Sequence, residues 1–312
     1  MKRISPEQMT DQVTIDMRGV SRRFGAQLAV DGVDLALRAG ECVGLVGHNG
    51  AGKSTMIKMM LGLVRPDSGV VRVLGEDPSA GHGVASRRAL GYLPENVALY
   101  PALTGVETLA FYARLKAESP KRARELLERV GLPAEAAGRP VRTYSKGMRQ
   151  RLALAQAMLG RPRALLLDEP TSGLDPALRQ GFYEILRELR RGGATVLLSS
   201  HALAELEGEV DRVVVMNQGR KMADGDLAQL RQLSGVRPRL RVRLAPGTPP
   251  AARSAFADWQ PIAGGMLECM CAEQDIAARL RALPASVETV DIVRPSLDDI
   301  YAAFLRRPGE AA

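Results

Sequence analysis

Gly47, four intervening residues, then Gly52-Lys53-Ser54 is a spacing that can hold phosphate. In Gly47-His48-Asn49-Gly50-Ala51-Gly52-Lys53-Ser54-Thr55 the glycines let backbone N–H groups turn inward and cradle oxygens at the start of a helix. Lys53 would place a compact cation between terminal phosphates, and the Ser54 hydroxyl suits a magnesium ion. A second cluster follows in Leu165-Leu166-Leu167-Asp168-Glu169-Pro170. Asp168, ending an apolar run, can reach a magnesium shell, and Glu169 can polarise a water for in-line attack on a γ-phosphate.

These residues need a rigid frame, and the pattern supplies one. Cys42-Val43-Gly44-Leu45-Val46 reads as a buried strand running into the glycine-rich loop, and a helical pattern opens at Lys53 through Met56, Ile57, Met60 and Leu61. The apolar runs at 165–168 and 195–200 alternate with helical segments, which predicts a parallel sheet covered on both faces. Residues 13–46 alternate in short runs and read as antiparallel strands. A helical insertion over about 96–160 carries Leu109, Tyr112, Leu115, Leu126, Leu127 and Val130 at helix spacing. The organisation read from this is a tail at 1–11, an α/β domain at 12–235 and a small α+β domain at 236–312. The second boundary rests on Ser234-Gly235-Val236-Arg237-Pro238, on a Pro-rich turn from Pro246 to Pro250, and on the absence of lysine after Lys221.

Composition excludes several classes. Hydrophobic residues make up 46% and charged residues 25% of the 312, the balance of a globular protein. No apolar run approaches the roughly 18 residues of a membrane span, and the start lacks the pattern of a secretory signal, so a cytoplasmic protein is expected. Three cysteines are too few for a disulfide framework. The net charge of +8 comes with only 4% aromatic residues, few platforms for stacking bases, so nucleic acid is not an expected partner.

Tyr144-Ser145-Lys146-Gly147-Met148-Arg149-Gln150-Arg151 resembles the signature of ABC ATPases. Ser172-Gly173-Leu174-Asp175 is similar to their D-loop, and His201 to their switch histidine. The resemblance spans about residues 13–235. It implies an ABC-type P-loop core with an antiparallel β subdomain and a helical subdomain, using ATP and Mg²⁺. It implies Lys53, Glu169 and His201 as catalytic residues and Ser54, Glu95 and Asp168 around magnesium. It further implies a head-to-tail homodimer, in which Ser145, Gly147, Met148 and Asp175 of one copy face the phosphate loop of the other. Phe24 stands where the family stacks an aromatic on adenine; a plain core role is equally open. The chain departs from the family at Glu95, where glutamine is usual, and at Lys146 and Met148, where Gly and Gln are common. A multi-pass membrane permease is the implied partner, docked around 95–109, with the chain peripheral on the inner face of the cell membrane.

Residues 91–109 and 144–160, with Gly-His-Asn-Gly in the phosphate loop, are similar to the ATPase of the copper-maturation transporter for nitrous-oxide reductase. That likeness implies a periplasmic accessory protein as well; exporters of drugs, sodium or cofactors share many of these residues. Met266, Cys269, Met270 and Cys271 are sulfur ligands suited to Cu(I), but buried Cys and Met are ordinary core residues, and no transition-metal site is assigned. A permease-free ABC ATPase and a P-loop kinase or GTPase are the rival readings. The first usually carries two modules or a long coiled coil, and the second would lack the signature and His201.

Overall fold

The computed structural model describes residues 12–80, 87–248 and 256–306. The expected tail at 1–11 lies outside them, as do the last two residues of the Pro-rich turn. The described residues fall into two compact units that divide between Leu227 and Ala228.

The first unit holds two sheets. Strands β1 (Val13–Phe24), β2 (Gln27–Arg38) and β4 (Ser68–Val73) form an antiparallel sheet in the order β2-β1-β4. The second sheet has the order β5-β6-β7-β3-β8-β9, built from β3 (Cys42–Val46), β5 (Leu90–Leu93), β6 (Ala164–Leu167), β7 (Thr195–Ser200), β8 (Arg212–Asn217) and β9 (Arg220–Gly225). Its first five strands run parallel, and every residue of β3, β6 and β7 is buried. Apolar runs without alternation are what a sheet covered on both faces requires. The expectation of a parallel sheet misses β9, which pairs antiparallel with β8 at the edge.

Helix α1 (Lys53–Met60) follows β3 directly. Between β5 and β6 lie α2 (Gly105–Leu115), α3 (Pro120–Arg129), α4 (Ala134–Ala137) and α5 (Lys146–Ala157), and α6 (Pro176–Arg191) follows β6. The starts of these helices are written locally. Thr104 and Glu107 cap α2 reciprocally, Ser119 precedes Pro120 at the first position of α3, Ser145 caps α5, and Asp175 with Pro176 opens α6. Of the stripe expected on α2, Leu109 is fully buried, whereas Leu115 is 62% exposed. The face of α2 that carries Leu115 looks outward, together with Phe111.

The second unit begins at Ala228, within α7 (Leu227–Ser234) and earlier than the expected boundary at 236; Ala228, Arg231 and Gln232 share a cleft with Arg294, Pro295 and Ile300. Strands β10 (Arg239–Leu244), β11 (Gln260–Ile262), β12 (Met266–Met270) and β13 (Val287–Val293) form an antiparallel sheet in the order β11-β12-β10-β13. With α8 (Ile276–Arg281) and α9 (Leu297–Arg306) they make the α+β unit. Leu240, Val242, Phe256, Trp259, Cys269, Cys271 and Ile276 form its core. Cys269 and Cys271 share the inner face while Met270 points outward, as period-two alternation demands. No described helix is long and apolar enough to cross a membrane.

Candidate active site

The glycine loop starts where β3 ends. The Gly47 N–H donates to the Ser200 carbonyl of β7 at 3.3 Å, and the Ala51 N–H to the His48 carbonyl at 3.1 Å. Gly52 has φ 104°, and a Cβ there would sit 2.5 Å from the Ala29 carbonyl oxygen, so only glycine fits. A Cβ on Gly47 would lie 2.7 Å from that of Ala51. The loop enters α1 with no side-chain cap and no acidic residue in the first turn. Its first N–H groups therefore remain available to an anion, and the helix dipole adds to the attraction. The His48 ring ties the loop to its surroundings, with Nδ1 2.6 Å from the Asn49 carbonyl and Nε2 2.9 Å from Asn217 Oδ1.

Lys53 is only 6% exposed. Its ammonium donates to the Gly47 carbonyl and, at 3.4 Å, to that of His48, and it lies 3.3 Å from Glu169 Oε1. Glu169 follows β6 with φ 47°, a left-handed conformation that costs a non-glycine residue about 1 kcal/mol. One hydroxyl explains how it is held. Ser199 Oγ donates to Asp168 Oδ1 at 2.6 Å and accepts the Glu169 N–H at 2.8 Å, fixing both acids from the neighbouring strand. On the far side Glu169 Oε2 accepts from His201 Nδ1 at 2.8 Å; facing a carboxylate, that nitrogen carries the proton. Glu169 Oε1 accepts no hydrogen bond. The acid thus stands between a buried cation and an exposed imidazole, with one lone-pair site to spare.

A cleft of 330 Å³ gathers Phe24, Gln27, Ala29, the loop from His48 to Thr55, Glu95 and Glu169. Phe24 is 46% exposed with the Arg22 guanidinium 4.8 Å from its ring centre, so it is no core residue. Glu95 reaches the cleft from the segment after β5. The start of that strand is clamped by Lys116, whose ammonium donates to the carbonyls of Arg87, Arg88 and Leu90 at 2.8, 3.0 and 2.8 Å. Burial pushes the Lys116 ammonium below the ordinary lysine range. A buried lysine, glycine-lined backbone donors and nearby carboxylates fit a triphosphate with its divalent cation.

Ser145, Gly147, Met148 and Asp175 do not line this cleft. Ser145 Oγ accepts the Met148 N–H at 3.2 Å, and Asp175 Oδ1 accepts that of Leu178 at 2.9 Å. Gly147 is packed so closely that a Cβ would come 2.6 Å from Leu178 Cδ1. The buried Gln150 donates to the Pro170 carbonyl at 2.7 Å, linking the signature helix α5 to the segment just after Glu169. Sequence reasoning missed three positioning residues: Ser199, Gln150 and Lys116. The two serines ending the apolar run at 195–200 were a usable signal; Lys116 offered none.

Among known protein families, the ABC transporter family matches residues 30–172. The Nod factor export ATP-binding protein I of Burkholderia orbicola is 38% identical over 279 residues, covering 86% of this chain and 90% of that protein. The daunorubicin/doxorubicin resistance ATP-binding protein DrrA of Streptomyces peucetius is 34% identical over 310 residues, 95% of this chain and 93% of the relative. The linearmycin resistance ATP-binding protein LnrL of Bacillus subtilis is 37% identical over 220 residues, covering 69% and 70%. Among solved structures, an ATP-binding subunit of an ABC transporter superposes with a TM-score of 0.65 at 33% identity, covering 71% of this chain and 93% of that one. A dimeric bacterial ABC transporter cassette gives 0.64 at 25%, covering 68% and 98%.

Proposed function

This chain belongs to the ATP-binding proteins of ABC transporters, and we propose that it powers a separate multi-pass permease as the motor of an exporter of amphipathic small molecules. It is an ABC-type ATPase. The observation that carries the mechanism is the Glu169 carboxylate, suspended between Lys53 and His201 at the mouth of the glycine cradle.

In this mechanism the backbone donors of 47–55 and Lys53 bind the triphosphate, and Phe24 stacks on adenine. Ser54, Asp168 and Glu95 would hold magnesium, which when bound would neutralise phosphate charge. Glu169 orients the attacking water and accepts its proton, while His201 fixes the carboxylate through Nδ1–H. Ser199 keeps both acids in register. Because Ser145, Gly147, Met148 and Asp175 of the same chain lie outside the cleft, a second copy supplies them, and the working form is a head-to-tail homodimer. Glu169→Gln should bind ATP, lose turnover by about 10²–10⁴-fold and accumulate as a dimer on size exclusion. Turnover at the wild-type rate would remove Glu169 from this role.

The permease meets the helical insertion. Tyr100 and Phe111 pack edge-to-face at 6.4 Å, Phe111 and Tyr112 at 5.3 Å, and Tyr100, Phe111 and Leu115 are exposed. Such an aromatic patch is suited to a helix of a membrane partner, and supports a reading in which the chain works peripherally on the cytoplasmic face. The names of the relatives, for Nod factor export and for resistance to daunorubicin and linearmycin, support an amphipathic cargo. A second reading, copper-centre maturation of nitrous-oxide reductase with a periplasmic accessory protein, rests on the likeness of 91–109 and 144–160 and on the Gly-His-Asn-Gly of the loop. Deleting the gene and assaying copper loading of that reductase against efflux of amphipathic drugs separates the two readings.

A further inference from the structure

The second unit contains a cleft of 740 Å³, within the size range of small-molecule sites. Ala228, Val236, Pro238, Ala272, Pro295 and Ile300 give it apolar walls. Ala228, Arg231 and Gln232 present one side of α7 at i, i+3 and i+4. Arg231, Arg237 and Arg294 line the same space, with Glu273 the one acidic residue among the lining, and of the three arginines Arg237 is the cation that bears on a ligand. Glu273 pairs with Arg294 at 2.9 Å, an exposed pair that water screens.

Part of the backbone around the cleft is already engaged. Ser234 Oγ donates to the Arg231 carbonyl at 2.7 Å and accepts the Val236 N–H at 3.2 Å. The Cys271 N–H donates to the Pro238 carbonyl at 3.1 Å. The Ser296 N–H and hydroxyl both donate to Asp299 Oδ2, at 3.0 and 2.7 Å. Pro238 and Pro295 have no N–H at all. A bare phosphate would find no glycine loop like that of the first unit, and a neutral oil would leave Arg237 unused. An apolar body with one anionic end uses both: its chain covers the walls and its head engages arginine in charge-assisted bonds.

We propose that this cleft is a binding site for a soluble amphiphilic organic anion, an aliphatic or aryl body ending in carboxylate, sulfonate or phosphate. Titration calorimetry on the full chain, with decanoate as probe and decyltrimethylammonium as its cationic counterpart, tests it. Decanoate should bind and the cation should not. Arg237→Glu should weaken decanoate binding at least about tenfold, Arg237→Lys should retain most of it, and Ala228→Trp should block it by filling the cleft. Arg237 and Ala228 are both exposed, so ATP turnover and circular dichroism should report intact folding in each variant. No decanoate binding, equal binding of anion and cation, or binding unchanged in both Arg237→Glu and Ala228→Trp would overturn the proposal. Binding to phosphatidylglycerol vesicles with none to free decanoate would overturn it too, assigning the arginines to a lipid surface.

Discussion

In the first unit Lys53, Asp168, Gln150, Thr195, Ser199 and Ser200 are buried, whereas the buried polar residues described in the second are Ser234 and Thr248. Each of the first set has a partner that explains it. Lys53 leans on the Gly47 carbonyl and Glu169, Asp168 on Ser199, and Gln150 on the Pro170 carbonyl. A charge taken out of water must be paired, and pairing fixes its position, so the unit that performs chemistry carries buried polar groups as its framework. In the second unit the ion pairs Arg279–Asp258 and Arg294–Glu273 lie at the surface, Arg241–Glu268 is part-buried across β10 and β12, and an apolar core holds the fold. Mutations should therefore act on turnover in one unit and on stability alone in the other. The chain's one tryptophan, Trp259, sits in the second core, so its fluorescence reports that unit's unfolding while ATP turnover reports the other.

The largest expected effect breaks the buried pair. Lys53→Ala leaves Glu169 without its cation, which should destabilise the first unit by about 3–5 kcal/mol and abolish ATP turnover. Thermal unfolding followed by far-UV circular dichroism, beside a phosphate-release assay, reads both. Leu240→Ala opens a cavity in the second core and should cost about 2–5 kcal/mol, seen as an earlier Trp259 transition with turnover at 25 °C unchanged. A parallel loss of turnover would contradict the separation drawn above. Ser199→Ala strands the Glu169 N–H and frees Asp168, at about 1–3 kcal/mol. Here kcat should fall with the Trp259 transition unmoved.

The smallest effect concerns acid sensitivity. Bonds from the Ser296 hydroxyl and backbone N–H hold the Asp299 carboxyl below the usual aspartate range. A carboxyl depressed on folding adds stability that is present above its unfolded pKa of about 4 and is lost as pH falls through the depressed value. Asp299→Asn should flatten the acid side of the Trp259 stability profile and change nothing at neutral pH beyond the lost helix cap. An unaltered acid limb would show that the Ser296–Asp299 bonds do not set it.

The glycine loop at the start of a helix and the paired acids Asp168 and Glu169 at a strand end were legible as geometry, because they are written in consecutive residues whose local conformation needs little from elsewhere. Gly52 at φ 104° and the buried run of β3 follow from residue type and pattern alone. The helix caps at Thr104, Ser119, Ser145 and Asp175 are local in the same sense. Phe24 was ambiguous in sequence, since an aromatic ending a strand suits a core or a ligand; its exposure beside the loop excludes the core. The antiparallel β9 and the outward Leu115 were misjudged because apolar spacing does not say which face finds a neighbour.

What the amino-acid order determined by itself is the glycine loop, the paired acids and the Ser145-capped start of α5, since each depends on neighbours a few residues away. The tertiary structure alone decided that the Ser199 hydroxyl, 31 positions from Asp168, secures both acids, and that Gln150 reaches the Pro170 carbonyl. It also decided that Lys116 clamps β5, and that Arg237, ahead of β10, lines one apolar cleft with Pro295 and Ile300, which follow β13. Those contacts arise when strands and helices distant in the chain pack against one another, and no local spacing records which side chains will meet.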